Sequence, residues 1–272
     1  MFYRDSPGGF DSVNITGETY NQGLDDRQEF TNESREFDLL FTPRLELFNQ
    51  ERLLIPCDIR LTFVRNPAEF YIINRDLTKR YKIQILSGSF FLRTVQMSER
   101  FNDKLTRALN DNKSVKYPMI RSDVTTFLIP QGTTTVSHPI AKLGKQPIRM
   151  YLALIPNAAQ NGSYPINPYN FQHYDLSQIS FVVAGKSYPT VPLQITYGEE
   201  TDKEGKTKTV PRCFLRVYNE LQRTTGVLNL NDGFGVRRSE YPFGYFIVGQ
   251  KTTEAASDTY FAPEKQGNQM IG

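Results

Sequence analysis

Apolar and polar positions alternate with a period of two along several short runs of this chain, the pattern of a half-buried antiparallel strand. Cys57, Ile59, Leu61 and Phe63 alternate with Asp58, Arg60 and Thr62, and Leu45 and Leu47 with Arg44 and Glu46. A slip of one residue would turn Asp58 and Arg60 into the core, so the register of such a strand is well specified. Tyr81 to Met97 is a longer extended run, interrupted at Ser87-Gly88-Ser89, where a glycine suggests a bulge or bend. Val124 to Ile129 predicts a further strand, stopped by Pro130-Gln131-Gly132. Ile148, Met150, Leu152 and Leu154 form another alternating face, and the apolar residues opposite them predict a strand covered on both sides.

The stretch from Asn161 to Leu193 combines loop and hairpin signals. Gly162, Pro165 and Pro168 punctuate a loop rich in aromatic rings, and Ile179, Phe181 and Val183 then begin a strand. Ala184-Gly185-Lys186-Ser187 has turn chemistry, and Val191, Leu193 and Ile195 resume the alternation, which predicts a β-hairpin. Tyr245 to Val248 predicts a last short strand.

Helical spacing is found in two places. Ser98 is placed to cap a helix carrying Phe101, Leu105, Ala108 and Leu109 on one face and ending at Asn110-Asp111-Asn112. Phe214 to Gln222 predicts a second, with Phe214, Leu215, Tyr218 and Leu221 on one stripe and Gly226 as its stop. Residues 1 to 36 read as polar loop, as does Thr201 to Thr209, and Tyr117-Pro118 marks a boundary. No βαβ rhythm is present. Many short strands, long loops and two short helices predict a mainly β protein, an antiparallel β-sandwich in two units meeting near residue 117.

Composition sharpens the picture modestly. The chain has 272 residues, 39% hydrophobic and 22% charged, with 19 Phe, 15 Tyr and no Trp, the balance of a soluble, sheet-rich protein. A net charge of +3 with no long basic block gives no footprint for specific nucleic-acid binding. No segment approaches the ~20 apolar residues of a spanning helix, and the first residues do not resemble a signal peptide. Cys57 and Cys213, far apart, predict free buried thiols in a reducing compartment.

Candidate chemistry is sparse. His138 and His173 are the two histidines, without a second histidine at ligand spacing, so no metal site is expected. Phosphate-loop, dinucleotide and nucleophile-elbow motifs do not occur, and no catalytic residue or cofactor is expected. A jelly-roll enzyme of the cupin type would need a cluster of ligating histidines. Tyr164, Tyr169, Phe171, His173 and Tyr174 predict a packing cluster instead. A carbohydrate- or protein-binding sandwich is the other reading, with Tyr241 and Phe243 as a stacking platform.

The order of segments resembles the double jelly-roll major capsid proteins of adintoviruses and Polinton (Maverick) elements, which also persist as integrated copies in animal genomes. The resembling stretches are FDLLFTPRLELFNQERLLIPCDIRLTFVRN (Phe37 to Asn66), YKIQILSGSFFLRTVQMS (Tyr81 to Ser98) and KYPMIRSDVTTFLIPQG (Lys116 to Gly132). NGSYPINPYNFQHYDLSQISF (Asn161 to Phe181) and KQGN (Lys265 to Asn268) continue the series. The resemblance implies a viral structural protein of the virion, made inside the cell, that forms homotrimers of pseudo-hexagonal outline and tiles an icosahedral shell with other capsid proteins. It carries no catalytic residues. Family members begin before the segment matching Met1 and continue past KQGN. The resemblance therefore implies the C-terminal part of a first jelly roll over residues 1–116 and most of a second over 117–272, incomplete at both ends. A truncated reading frame, a decayed integrated copy or strands supplied by another polypeptide would each produce this.

Overall fold

The computed structural model describes residues 4–12, 20–43, 45–48, 50, 52–55, 57–74, 76–111, 113, 115–117, 119–140, 147–183, 185–201, 205, 207–228, 234–252 and 269–271. Arg44, Asn112, Pro118, Ala184 and the KQGN stretch, which figured in the sequence reading, lie outside them. The chain divides into two compact units, one of Met1–Asp38, Arg65–Tyr81 and Thr125–Gly272, the other of Leu39–Val64 and Lys82–Val124.

The first unit is built from small antiparallel strand pairs. Strands β1 (His138–Ile140), β3 (Gln178–Val183), β4 (Lys186–Gln194) and β8 (Gln269–Ile271) form a sheet in the order β1-β8-β3-β4. The β3–β4 hairpin is the one the alternation predicts. Ile179, Phe181 and Val183 point into the core, Ile179 faces Leu193, and the register shifts between Ile179 and Phe181. Strand β2 (Arg149–Ala153) pairs with β7 (Ile247–Lys251), and β5 (Thr196–Thr201) with β6 (Thr207–Cys213).

Helix α5 (Leu215–Thr225) closes this core. Val217, Leu221 and Thr224 are the buried stripe, and Leu215, expected on it, is exposed; the stop at Gly226, in the left-handed conformation, is the one the sequence predicts. The core comprises Ile179, Phe181, Leu193, Ile195, Phe214, Val217, Leu221, Tyr241, Phe246 and Val248. Burial pushes the Tyr241 phenol strongly up, and its hydroxyl donates to the Ile247 carbonyl at 2.7 Å.

The second unit contains the other predicted helix, α3 (Glu99–Asn110), with Ser98 at its N-cap as expected, though the Ser98 side chain makes no capping bond. Its described residues form no strand ladder. The Tyr117 hydroxyl stitches the unit together, donating to the Leu53 carbonyl and accepting from the Ile55 N–H, both at 3.0 Å. Phe41 meets Phe63 edge-on, and Phe48 meets Phe90.

Several expectations need correction. The runs Cys57–Phe63, Tyr81–Met97 and Val124–Ile129 form no regular strand, and Leu45 closes a turn by accepting from the Phe48 N–H. Alternation supplies one apolar face, but a strand exists only where a neighbour completes its ladder, which is a non-local condition. Cys57 and Cys213 are free, as expected, but exposed rather than buried. One face of β2 is exposed, so that strand is not covered on both sides, although the Tyr151 hydroxyl still reaches the Thr224 carbonyl at 3.3 Å.

Of the charged stretch expected as a loop over Thr201 to Thr209, Thr201 and Thr207 to Thr209 belong to the β5–β6 ribbon, in which Thr201 pairs with Thr207. Residues 1 to 36 are not all loop, because α1 (Gln22–Thr31) lies among them. It buries only Gly23, so no apolar stripe announced it. Two further short helices, α2 (Ala68–Tyr71) and α4 (Asn157–Asn161), also escaped the periodicity.

Candidate functional site

A side-chain network joins the segment 4–12 to two later loops of the same unit. The segment presets its own shape. Ser6 accepts from the Gly9 N–H at 3.0 Å across a turn with Pro7 and Gly8 at its centre, and Gly8 takes φ +76, a backbone region that glycine enters freely. A second turn follows, in which Ser12 N–H donates to Gly9 at 2.9 Å.

Asn21 couples this segment to α1. Its Oδ1 accepts from Ser6 N–H at 2.9 Å and, more weakly, from Leu24 N–H in the N-cap position. Its Nδ2 donates to Asp5 Oδ1 at 2.8 Å, and Arg27 Nη2 reaches the same oxygen at 2.5 Å. Asp5 is thus bound to both ends of the helix's first turns and, through Oδ2, to Asn167 Nδ2 at 3.3 Å.

Asp11 is the second anchor. Its carboxylate accepts from Asn167 N–H at 2.6 Å and from Asn170 Nδ2 at 2.5 Å. The two asparagines are held in orientation from behind. Tyr169 N–H donates to Asn167 Oδ1 at 2.9 Å, and Gln172 Nε2 donates to Asn170 Oδ1 at 2.6 Å. Their amide NH2 groups are left to face the carboxylates.

Between the two acids lies an aromatic contact. Phe10 is 3% exposed and packs edge-on against Tyr245 at 4.8 Å between centroids. Arg4 covers the same ring at 4.6 Å, donates from Nε to the Tyr245 hydroxyl at 2.8 Å, and pairs through Nη2 with Glu240 at 2.6 Å. The Tyr245 hydroxyl in turn donates to the Asp5 carbonyl at 2.6 Å. Burial works against ionisation of Glu240, but bonds from the Arg237 N–H and Arg4 outweigh it and hold the carboxyl below its ordinary value. The loops meet where Phe171 bridges to Gly244 and Tyr245, with Phe171 N–H donating to Gly244 at 3.0 Å.

The five residues expected as a packing cluster are distributed rather than gathered. Tyr164 is buried, and its carbonyl accepts from Asn74 N–H at 2.8 Å. Tyr169 and Phe171 meet edge-on at 6.5 Å, with Phe70 on the other side of Tyr169, whose ring is largely exposed. His173 turns to the core instead, 5.2 Å from Tyr197 and 6.1 Å from Phe246. Its Nδ1 accepts from Asp175 N–H at 3.1 Å and lies 3.3 Å from Asp175 Oδ1. Burial lowers the His173 pKa, Asp175 opposes that, and Lys208 adds to it. Tyr174 is exposed and adopts a positive φ of 44. His138 stacks on Phe127 at 4.2 Å.

Among the described residues no group of three or more His, Cys, Asp or Glu side chains is arranged to hold a metal ion, and no helix is long and apolar enough to cross a membrane. Tyr241 is fully buried, so it cannot serve as the stacking platform considered from the sequence, and Lys208 lies over Phe243 at 5.0 Å. Sequence reasoning missed Asp5, Phe10, Asp11, Asn167, Asn170, Gly244 and Tyr245. The available signal was Pro7-Gly8-Gly9, a turn flanked by two acids and a phenylalanine.

No family model matches the chain, and no solved structure matches it. It is similar to an uncharacterized protein of Caenorhabditis elegans, 27% identical over 221 residues, which is 79% of this chain and 49% of that protein. The chain therefore spans about half the length of the relative it matches.

Proposed function

We propose that this chain is a structural subunit of an icosahedral viral capsid, a major capsid protein of the double jelly-roll type or an integrated copy of one. It acts by forming trimers that pack into a shell, without catalysis or cofactor. The β-rich organisation and the ordered resemblance of five segments support this reading. The observation that carries it is the surface of the second unit. Leu40 is 89% exposed, Val64 91%, Phe91 82% and Val124 85%, within stretches that carry the resemblance or border it. Apolar side chains concentrated on segments without a strand ladder favour burial against another polypeptide, and a symmetric assembly of identical chains supplies such burial repeatedly.

Light scattering and negative-stain electron microscopy of the full chain test the proposal. Trimers, or larger particles of pseudo-hexagonal outline, are expected. A monodisperse monomer that stays monomeric on concentration would overturn it. The alternative is a β-sandwich module that binds carbohydrate or protein. Saturable binding on a glycan array by a chain that forms no particles would favour that reading.

A further inference from the structure

The contacts of residues 4–12 have the character of a ligand seated on a receptor. We propose that this segment is a docking peptide, and that the surface formed by residues 167–171 and 240–246, with Asn21 and Arg27 beside it, is its receptor, one that also accepts the same segment from a second copy of the chain.

Three features lead there. The segment is held by side chains and turns rather than by a strand ladder, with one backbone bond from Gly8 N–H to the Phe243 carbonyl at 3.0 Å. Its two consecutive turns fix its shape locally, so little conformational freedom is lost when it docks. The receptor is equally prepared. Asn167 and Asn170 have their amide oxygens occupied by their own loop and present NH2 groups to Asp5 and Asp11, while Glu240 presents a carboxylate to Arg4.

The central pocket is shaped for one ring. A Cβ on Gly244 would stand 2.3 Å from Phe10 Cε2 and 2.4 Å from Cδ2, so the absence of a side chain there is what admits the phenylalanine. Buried aromatic anchors ringed by satisfied polar contacts are the usual centre of a specific interface. Every copy of the chain carries both halves of this pair. Exchange between copies replaces each internal contact with an identical external one, so the effective concentration of the tethered segment decides between them.

Two full-length variants separate the halves. Phe10→Ala disables the segment and leaves the receptor, whereas Gly244→Val disables the receptor and leaves the segment. Each is labelled with a different fluorophore and checked for folding by circular dichroism. Energy transfer in the mixture is expected to report association about tenfold or more tighter than either variant shows with itself. A mixture no tighter than the separate variants would overturn the exchange.

A second measurement does not require the Gly244 variant to fold. A fluorescent synthetic peptide of residues 4–12 is titrated against the full chain carrying Phe10→Ala, or Asp11→Asn if the first is unstable. Saturable binding that disappears when the peptide itself carries Phe10→Ala is expected. No saturable binding at millimolar peptide would overturn the docking peptide itself. Capsid-type assembly through the second unit would appear equally in each variant alone, so the mixed-minus-single comparison is independent of that reading.

Discussion

Phe10 and Gly244, far apart in sequence, occupy one another's space: the ring lies where the glycine's missing Cβ would be, within 2.3 Å of that position. Gly244 also holds a φ of +103, which side-chain-bearing residues rarely adopt. Gly244→Ala should therefore push Phe10 off Tyr245 and destabilise the first unit by about 1–3 kcal/mol, the usual cost of overpacking a filled site. A lowered urea midpoint with an unchanged slope checks this, and an unchanged midpoint would show that the ring relocates freely.

His173 should make the fold weaken in mild acid. Burial lowers its pKa in the folded chain from the ordinary 6.5, against the opposing influence of Asp175. The unfolded chain thus takes up the proton first. Stability is full above about pH 6.5, falls as the pH drops from there toward the lowered value, and levels off below it. Urea midpoints measured across this range should slope for the parent and flatten for His173→Gln. An identical slope in both would assign the acid sensitivity elsewhere.

The Arg4–Glu240 pair weakens the fold in the same direction, in more acid solution. Glu240 is held below its ordinary carboxyl value, so its contribution is present above the unfolded value and lost as pH falls through the folded one. The Arg4 side chain is 40% exposed and that of Glu240 19%, so solvent screens the pair, and Glu240→Gln should cost only about 0.2–1 kcal/mol at neutral pH. Added salt should shrink that difference, which a midpoint series in sodium chloride would reveal.

Leucines in the two units should respond oppositely. Leu221→Ala removes a buried side chain from α5 and should cost about 2–5 kcal/mol by calorimetry or denaturant unfolding. Leu40→Ser, at a largely exposed position, should change stability by no more than about 0.5 kcal/mol. Under the assembly proposal it should instead lower the mass seen by light scattering. Loss of stability without loss of association would count against a docking role for that surface.

Elements whose signals are local could be read from residue order alone. The turn at Gly185 and the alternation on either side suffice for the β3–β4 hairpin, and helical spacing with Ser98 and Gly226 suffices for α3 and α5. Period and punctuation need no distant partner to be read. The other elements depended on long-range packing. Cys57–Phe63 has the alternation of a strand and no ladder, because a ladder depends on what lies beside it. The β5–β6 ribbon shows the converse, pairing through backbone groups that polar side chains do not advertise. The sequence places His173 in an aromatic cluster, yet its ring packs on Tyr197 and Phe246, a choice made by the core. The clasp between Asp5, Phe10 and Asp11 and the loops at Asn167 and Gly244 was illegible for the same reason. Each residue is ordinary where it stands in the chain, and its meaning comes from a group that only folding brings within reach.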